Sequence, residues 1–294
     1  MEKRKILIIV NSIARAYKEF LADEKRVIKL AADNYVAIEI YKTKKAGDAS
    51  LRTAEAVNEG FSLIIAAGGD GTIFEIINAL GDHDIPIGII PIGTSNVFAS
   101  EMNIPKDVYL SFSLLLHNSP IKVDLGRVND KKFIFTAGCG LDSFTINNLD
   151  FRFKTIFGRP SFVLTGIKSF FQYKFPKITL NFPDENIIEA GYQVMINNTK
   201  SYGGNYMLAP KASVFDGLLD VIILKRRDVF SNIRYLLSVP FEEHLKYRDI
   251  SYYQTKKVIL KAEQPVNIQL DSEVCAVTPA EVEVIPRGLS VILP

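Results

Sequence analysis

Asp70 sits inside a run of small residues, Gly68-Gly69-Asp70-Gly71-Thr72, that directly follows an apolar stretch. Glycine lets a backbone come close to a ligand, and the N–H groups opening a following helix can meet phosphate oxygens. A carboxylate in such a cradle would repel phosphate unless it holds a divalent cation or takes a proton from an attacking hydroxyl. A second loop, Gly93-Thr94-Ser95-Asn96, follows the next apolar run and adds hydroxyls and an amide, and Asn11-Ser12 follow the first run. One Gly-Gly-Asp-Gly run alone is equally a tight turn; two such loops after consecutive strands favour phosphate chemistry. Far along the chain, Asp271 and Glu273 stand two residues apart. At a strand end that spacing points both carboxylates to one side and suits a base and its metal partner, although an acidic turn has the same pattern. Asp216-Gly217, read alone, is a hairpin turn.

The elements that would position these residues follow from periodicity. Lys5–Val10, Val36–Tyr41, Ser62–Ala67 and Ile87–Ile90 are short apolar runs, and they alternate with helical patterns at Glu19–Asp33, at Asp48–Gly60 and in the run IFEIINAL, with Gly81 as its C-terminal cap. Such alternation predicts a parallel sheet covered by helices, and ligands of open parallel sheets bind beyond the carboxyl ends of the strands. From about Val123 the texture changes to antiparallel strands, at 132–137, 177–182, 192–197, 219–224, 257–262 and 266–270, with helices at 161–173 and 228–237. The expectation is α/β plus all-β: an open α/β nucleotide-binding domain over residues 1–122 and a β-rich domain over 123–294.

Composition narrows the classes. The 294 residues are 48% hydrophobic and 23% charged, enough for a sizeable core, and a formal net charge of +2 argues against a duplex nucleic-acid binder. No run is long and apolar enough for a membrane span, and the opening run is short and strand-like, so a cytoplasmic protein that meets membranes only at the surface is expected. Cys139 and Cys275 read as buried small residues in a reducing compartment, and His83, His117 and His244 as residues of surface loops or helix ends. The stretch 151–183 has no acid, six basic residues (Arg152, Lys154, Arg159, Lys168, Lys174, Lys177) and interleaved phenylalanines. It reads either as a surface for anionic lipid or as a core-packed helix with a basic face.

The blocks GGDGTIFEIINAL (68–80), PIGTSN (91–96), GGNYMLAPKASVFDGLLDV (203–221) and Leu270-Asp271-Ser272-Glu273 resemble the diacylglycerol kinase and sphingosine kinase superfamily, and small bacterial lipid kinases in particular. The resemblance extends over essentially the whole chain. It implies an NAD kinase/diacylglycerol kinase-like nucleotide domain, a β-sandwich lipid-binding domain, and an active site in the cleft between them. It implies an ATP-dependent, magnesium-using kinase acting on a lipid hydroxyl, with diacylglycerol, phosphatidylglycerol and sphingoid bases as candidate acceptors and a role in phospholipid biosynthesis. ATP would lie against Asn11, Thr43, Gly68, Gly69, Asp70, Gly71, Thr72, Glu75, Thr94 and Asn96. Asp271 and Glu273 would be the catalytic acids beside Asp70, and Ser213, Asp216 and Leu218 would hold a structural cation. Partners would be the lipid, an anionic membrane surface and, compatibly with the sequence, a second copy in a homodimer.

The chain departs from the family pattern at three places. Asn11-Ser12-Ile13-Ala14 replaces the usual Asn-Pro loop, Val97 stands where bacterial diacylglycerol kinases carry aspartate, and Ser272 replaces glycine. Val97 and the altered first loop suggest a non-catalytic nucleotide-binding regulator as the alternative; retention of Asp70, Asp271 and Glu273 together speaks against it. NAD kinase also uses a Gly-Gly-Asp-Gly loop, but its Gly-x-Leu-Gly-Phe segment is replaced here by Gly88-Ile-Ile-Pro-Ile-Gly-Thr94.

Overall fold

The computed structural model describes residues 4–148, 165, 168–203 and 206–294. Two compact units emerge. The first comprises the chain up to Val123 together with Arg287–Pro294, so the last residues join it although the sequence reading gives all of 123–294 to the second domain.

In the first unit, β1 (Lys5–Asn11), α1 (Tyr17–Asp33), β2 (Ala37–Thr43), α2 (Asp48–Ala56), β3 (Leu63–Gly68), α3 (Asp70–Ala79) and β4 (Ile87–Pro91) alternate, followed by α4 (Val97–Glu101) and α5 (Val108–His117). The strands lie in the order β2-β1-β3-β4 and all pairs are parallel, with Ile8 level with Ile40 on one side and Ile65 on the other. Ile6, Ile8, Val10, Leu63, Ile65 and Ala67 pack with Phe20 and Val27 of α1 and Phe112 of α5. Their alternate neighbours Leu7, Ile9, Ile64 and Ala66 are also fully buried, so both sheet faces are covered and the strands read as continuous apolar runs. Helix α5 is absent from the sequence reading. Its start is set by Asp107, whose carboxylate accepts the Leu110 N–H at 2.8 Å.

The second unit contains the latter part of β5 (Pro120–Val128), from Asp124 on, β6 (Lys131–Phe133), β7 (Thr136–Cys139), α6 (Leu141–Asn147), β8 (Ile178–Phe182), β9 (Ile187–Gly191), β10 (Gln193–Asn197), β11 (Ser201–Tyr202), β12 (Tyr206–Met207), β13 (Leu219–Leu224), α7 (Val229–Ser238), β14 (Ile250–Thr255), β15 (Lys257–Ala262), β16 (Asn267–Leu270), β17 (Glu273–Val277) and the first half of β18 (Ala280–Ile292). One antiparallel sheet runs β14-β13-β10-β7-β16-β17, and β18-β15-β8-β9 is antiparallel as well. Every residue of β13 is buried, as expected of a strand covered on both faces.

Several expectations need correction. The strand expected over 132–137 is two strands, broken at Ile134 and Phe135. His244 is fully buried, with Nε2 2.8 Å from the Leu208 carbonyl, whereas His83 and His117 are exposed. Cys275 is exposed on β17, and only Cys139 is a buried thiol. Of the helix expected at 161–173, residues 161–164, 166 and 167 lie outside the described residues, as do Arg152, Lys154 and Arg159, and residues 168–172 are helical; Lys168, Lys174 and Lys177 are exposed.

Candidate active-site residues

In the first unit the loops that leave β1 to β4 meet at the carboxyl edge of the sheet. Asn11 Nδ2 donates to Thr72 Oγ1 at 3.4 Å, and Ser12 Oγ donates to the Thr43 carbonyl at 2.5 Å. The N–H groups of Ile92 and Gly93 both donate to the Gly68 carbonyl, at 3.1 and 3.2 Å. These bonds draw the two glycine loops so close that a Cβ on Gly93 would lie 2.4 Å from the Gly69 Cα. A Cβ on Gly68 would fall 2.2 Å from Thr72 Oγ1. Glycine at these places is required for close approach.

Asp70 opens α3, and its Oδ2 accepts the Val97 N–H at 3.1 Å, tying the β3 loop to the start of α4. Asn96 adopts the left-handed region, with φ of 49°. Its Nδ2 donates to the Pro91 and Gly93 carbonyls, and its buried Oδ1, with no hydrogen-bond partner, borders the gap between Gly69 and Gly93. Magnesium keeps several of its waters and needs only one or two protein carboxylates beside substrate phosphates. Asp70 supplies one such carboxylate, although no group of three His, Cys, Asp or Glu ligands occurs among the described residues.

Glu75 has a defined partner set. Its carboxylate accepts the N–H groups of Gly47, Ala49 and Ser50 at 3.0–3.2 Å, so it caps the start of α2 from a neighbouring helix. Thr72 and Thr43 are buried, and Thr94 is exposed.

In the second unit Asp271 and Glu273 flank a hairpin between β16 and β17, with Asp271 and Ser272 both left-handed, at φ of 50° and 74°. Leu270 pairs with Glu273, so strand alternation does not run through the acids and the expectation of two carboxylates on one side does not hold. Asp271 is 1% exposed. Its oxygens accept the N–H groups of Ile134 at 2.7 Å and of Phe135 and Thr136 at 3.0 Å. Those donors lie at the break between β6 and β7, which is why that strand is interrupted. Glu273 is exposed.

The Asp216 loop is a local turn in which Oδ1 accepts the Leu218 N–H at 3.0 Å and Ser213 Oγ accepts the Phe215 N–H at 3.3 Å. Asp124, which the sequence reading does not single out, lies beside it: its Oδ2 accepts the Gly217 N–H at 2.7 Å. Loss of water raises the Asp216 carboxyl above its ordinary pKa, and the charge of Asp124 raises it further. Asp124, whose charge disfavours ionisation of the Asp216 carboxyl, stands with it as a pair of oxygen donors of the kind a hard cation takes.

Asp142 is a second acid the sequence reading passes over. It accepts hydrogen bonds from the Tyr202 hydroxyl and, at 2.9 Å, from Gln269 Nε2. Burial raises its pKa despite both donors. A Cβ on Gly138 would fall 2.0 Å from Asp142 Oδ2, so the run Gly138-Cys139-Gly140 just before it is the signal that could have flagged it.

Comparison with known proteins agrees with this architecture. The model of the diacylglycerol kinase catalytic domain matches residues 5–128, and that of the YegS C-terminal NAD kinase beta sandwich-like domain matches residues 136–293. A diacylglycerol kinase of Bacillus subtilis (strain 168) is 28% identical over 298 residues, spanning 100% of this chain and 97% of that protein. One of Staphylococcus aureus (strain JH9) is 27% identical over 100% of this chain and 93% of its own length. A crystal structure of a diacylglycerol kinase from Bacillus anthracis str. Sterne shares the fold at TM-score 0.80 and 23% identity, covering 100% of this chain and 98% of that one. A nucleotide-type α/β domain followed by a β-sandwich, each matched by its own family model, places this chain in the diacylglycerol kinase family.

Proposed function

We propose that this protein transfers the γ-phosphoryl group of ATP to a hydroxyl of a membrane lipid, with diacylglycerol, phosphatidylglycerol and sphingoid bases as the acceptor classes. The observation that carries the reading is the meeting of four loops at the carboxyl edge of the parallel sheet, where Gly68 and Gly93 leave no room for a side chain and Asp70 is held by the Val97 N–H. Phosphoryl transfer asks chiefly for positioning and charge neutralisation, and such a cradle supplies both.

In this reading Asn11, Thr43 and the run Gly68–Thr72 hold the nucleotide, with Thr94 at the rim, and Glu75 acts by fixing the start of α2. Asp70 and Asn96 would hold Mg2+, which when bound neutralises phosphate charge. Ser213, Asp216 and Leu218, joined by Asp124, would hold a structural cation. Glu273 takes the proton of the lipid hydroxyl as the phosphoryl group is transferred. Asp271, satisfied by three backbone N–H groups, positions the turn that carries Glu273. The family relatives named diacylglycerol kinase support the acceptor class.

The test is labelled ATP with a panel of diacylglycerol, phosphatidylglycerol, a sphingoid base and an isoprenoid alcohol, with lipid products separated by chromatography. Label in one lipid is expected. ATP binding without label in any lipid would favour the regulator that Val97 suggests.

A further inference from the structure

Helix α7 is built inside out. Surface helices ordinarily turn apolar residues toward the fold and polar ones to water. Here Ser231, Asn232 and Ser238 are buried, whereas Phe230 is 76%, Leu236 66% and Leu237 67% exposed. Phe230, Ile233 and Leu237 recur at helical spacing, and the ridge continues to Phe241 in the following turn, which is 75% exposed. These residues, with Tyr247, line an open groove of about 390 Å³.

The inverted face is not a loose end of the fold. Asp228 caps the helix by accepting the Ser231 N–H at 2.9 Å, and Asn232 accepts from Gln193 Nε2 and donates to the Asp228 carbonyl. Arg234 binds both oxygens of Asp249 at 2.6 Å. These polar contacts to β10 and to Asp249 just before β14, with Tyr235 packed against Met195, Leu208 and Ile222, fix the helix and hold its apolar ridge outward. Contiguous exposed apolar surface of this kind marks an interaction site.

Charge at the rim indicates the partner. Arg226, Arg227 and Arg248 are exposed around the ridge, against Glu242 and the capping Asp228, whereas Lys246 pairs with Glu243 and Arg234 with Asp249. Phenylalanine and leucine tips ringed by a modest cationic excess match an anionic bilayer surface, where side chains of this type insert at the boundary between headgroups and acyl chains. We infer that the α7 ridge, Phe230 to Phe241, docks this protein onto the surface of an anionic lipid bilayer. The inference rests on the reading that the acceptor is a membrane lipid, and it names the surface by which the protein reaches that lipid.

The chain contains no tryptophan, so Phe230→Trp introduces a single tryptophan at the ridge, excited selectively at wavelengths beyond tyrosine absorption. Vesicles of phosphatidylglycerol and phosphatidylcholine should shift its emission to the blue. In a sedimentation assay, the F230S/L237S double variant should bind those vesicles at least about tenfold more weakly than wild type. Transfer to a short-chain diacylglycerol dissolved in water should be unchanged in that variant. No emission shift on adding vesicles, or wild-type vesicle binding by the double variant, would overturn the inference. So would a blue shift that grows with protein concentration without lipid, since a second copy would then cover the ridge. Ridge-dependent vesicle binding by a protein that phosphorylates no lipid would uphold the docking and retire the kinase reading. Unaltered transfer to vesicle lipid in the double variant would do the reverse.

Discussion

Asp271 and Glu273 are two residues apart and have different environments. Asp271 is closed in by three backbone donors from a segment about 136 residues earlier, and Glu273 is exposed at the start of β17. Charge-assisted hydrogen bonds are the stronger kind, and a buried donor that loses its acceptor costs about 1–3 kcal/mol. Asp271→Ala strands three such donors and should lower unfolding free energy by about 3 kcal/mol or more in urea titration. Asp271→Asn turns an amide against one N–H and should cost about 1–3 kcal/mol. Glu273→Gln should leave the denaturation midpoint within error of wild type. Equal stability in all three variants would remove Asp271 from its positioning role. The sequence offered the pair but not this division, because a left-handed hairpin breaks strand alternation without leaving a pattern in the residue types.

At the scale of elements, the glycine loops after β3 and β4 act as one device, since the Gly68 carbonyl accepts from both Ile92 and Gly93. Gly93→Ala would place its Cβ 2.4 Å from the Gly69 Cα and 2.6 Å from Asn96 Oδ1, so backbone must move in both loops. ATP affinity by calorimetry should fall about tenfold or more, with a lowered melting temperature. Wild-type affinity would show that the loops do not form the nucleotide cradle. The four parallel strands and the helices between them were legible because each strand is a short apolar run ending in a small polar loop. Helix α5 went unread because VYLSFSLLLH is too apolar for an amphipathic pattern to stand out. The break between β6 and β7 was illegible for another reason: its cause, Asp271, is remote in sequence. The outward ridge of α7 was hidden as well, since periodicity finds a helix's two faces without telling which one faces the fold.

For the whole molecule, stability against pH offers a test that does not depend on catalysis. His244 is fully buried, and burial lowers its pKa below the ordinary histidine value. Its Nδ1 has no hydrogen-bond partner, and the neutral ring can donate from Nε2 to the Leu208 carbonyl. Between the depressed folded pKa and the unfolded value near 6.5, the unfolded chain binds the extra proton. Stability from this group is thus complete above about pH 6.5 and is lost as pH falls toward the folded pKa, by at most about 1.4 kcal/mol per pH unit. His244→Gln keeps a donor for Leu208 and does not titrate, so its stability should decline less than wild type between pH 7 and pH 5. Parallel declines would place the acid sensitivity elsewhere. No helix among the described residues is long and apolar enough to cross a membrane.

The claim that Glu273 takes the proton of the lipid hydroxyl is tested most directly by Glu273→Gln. Turnover should be measured with labelled ATP on the acceptor that the lipid panel identifies, with ATP binding followed in parallel by calorimetry. Loss of a general base costs about 10²–10⁴-fold in rate while leaving ground-state binding intact. The account predicts normal ATP affinity and a loss of turnover in that range. Turnover within a few-fold of wild type would contradict it and would leave Asp70 as the remaining candidate base.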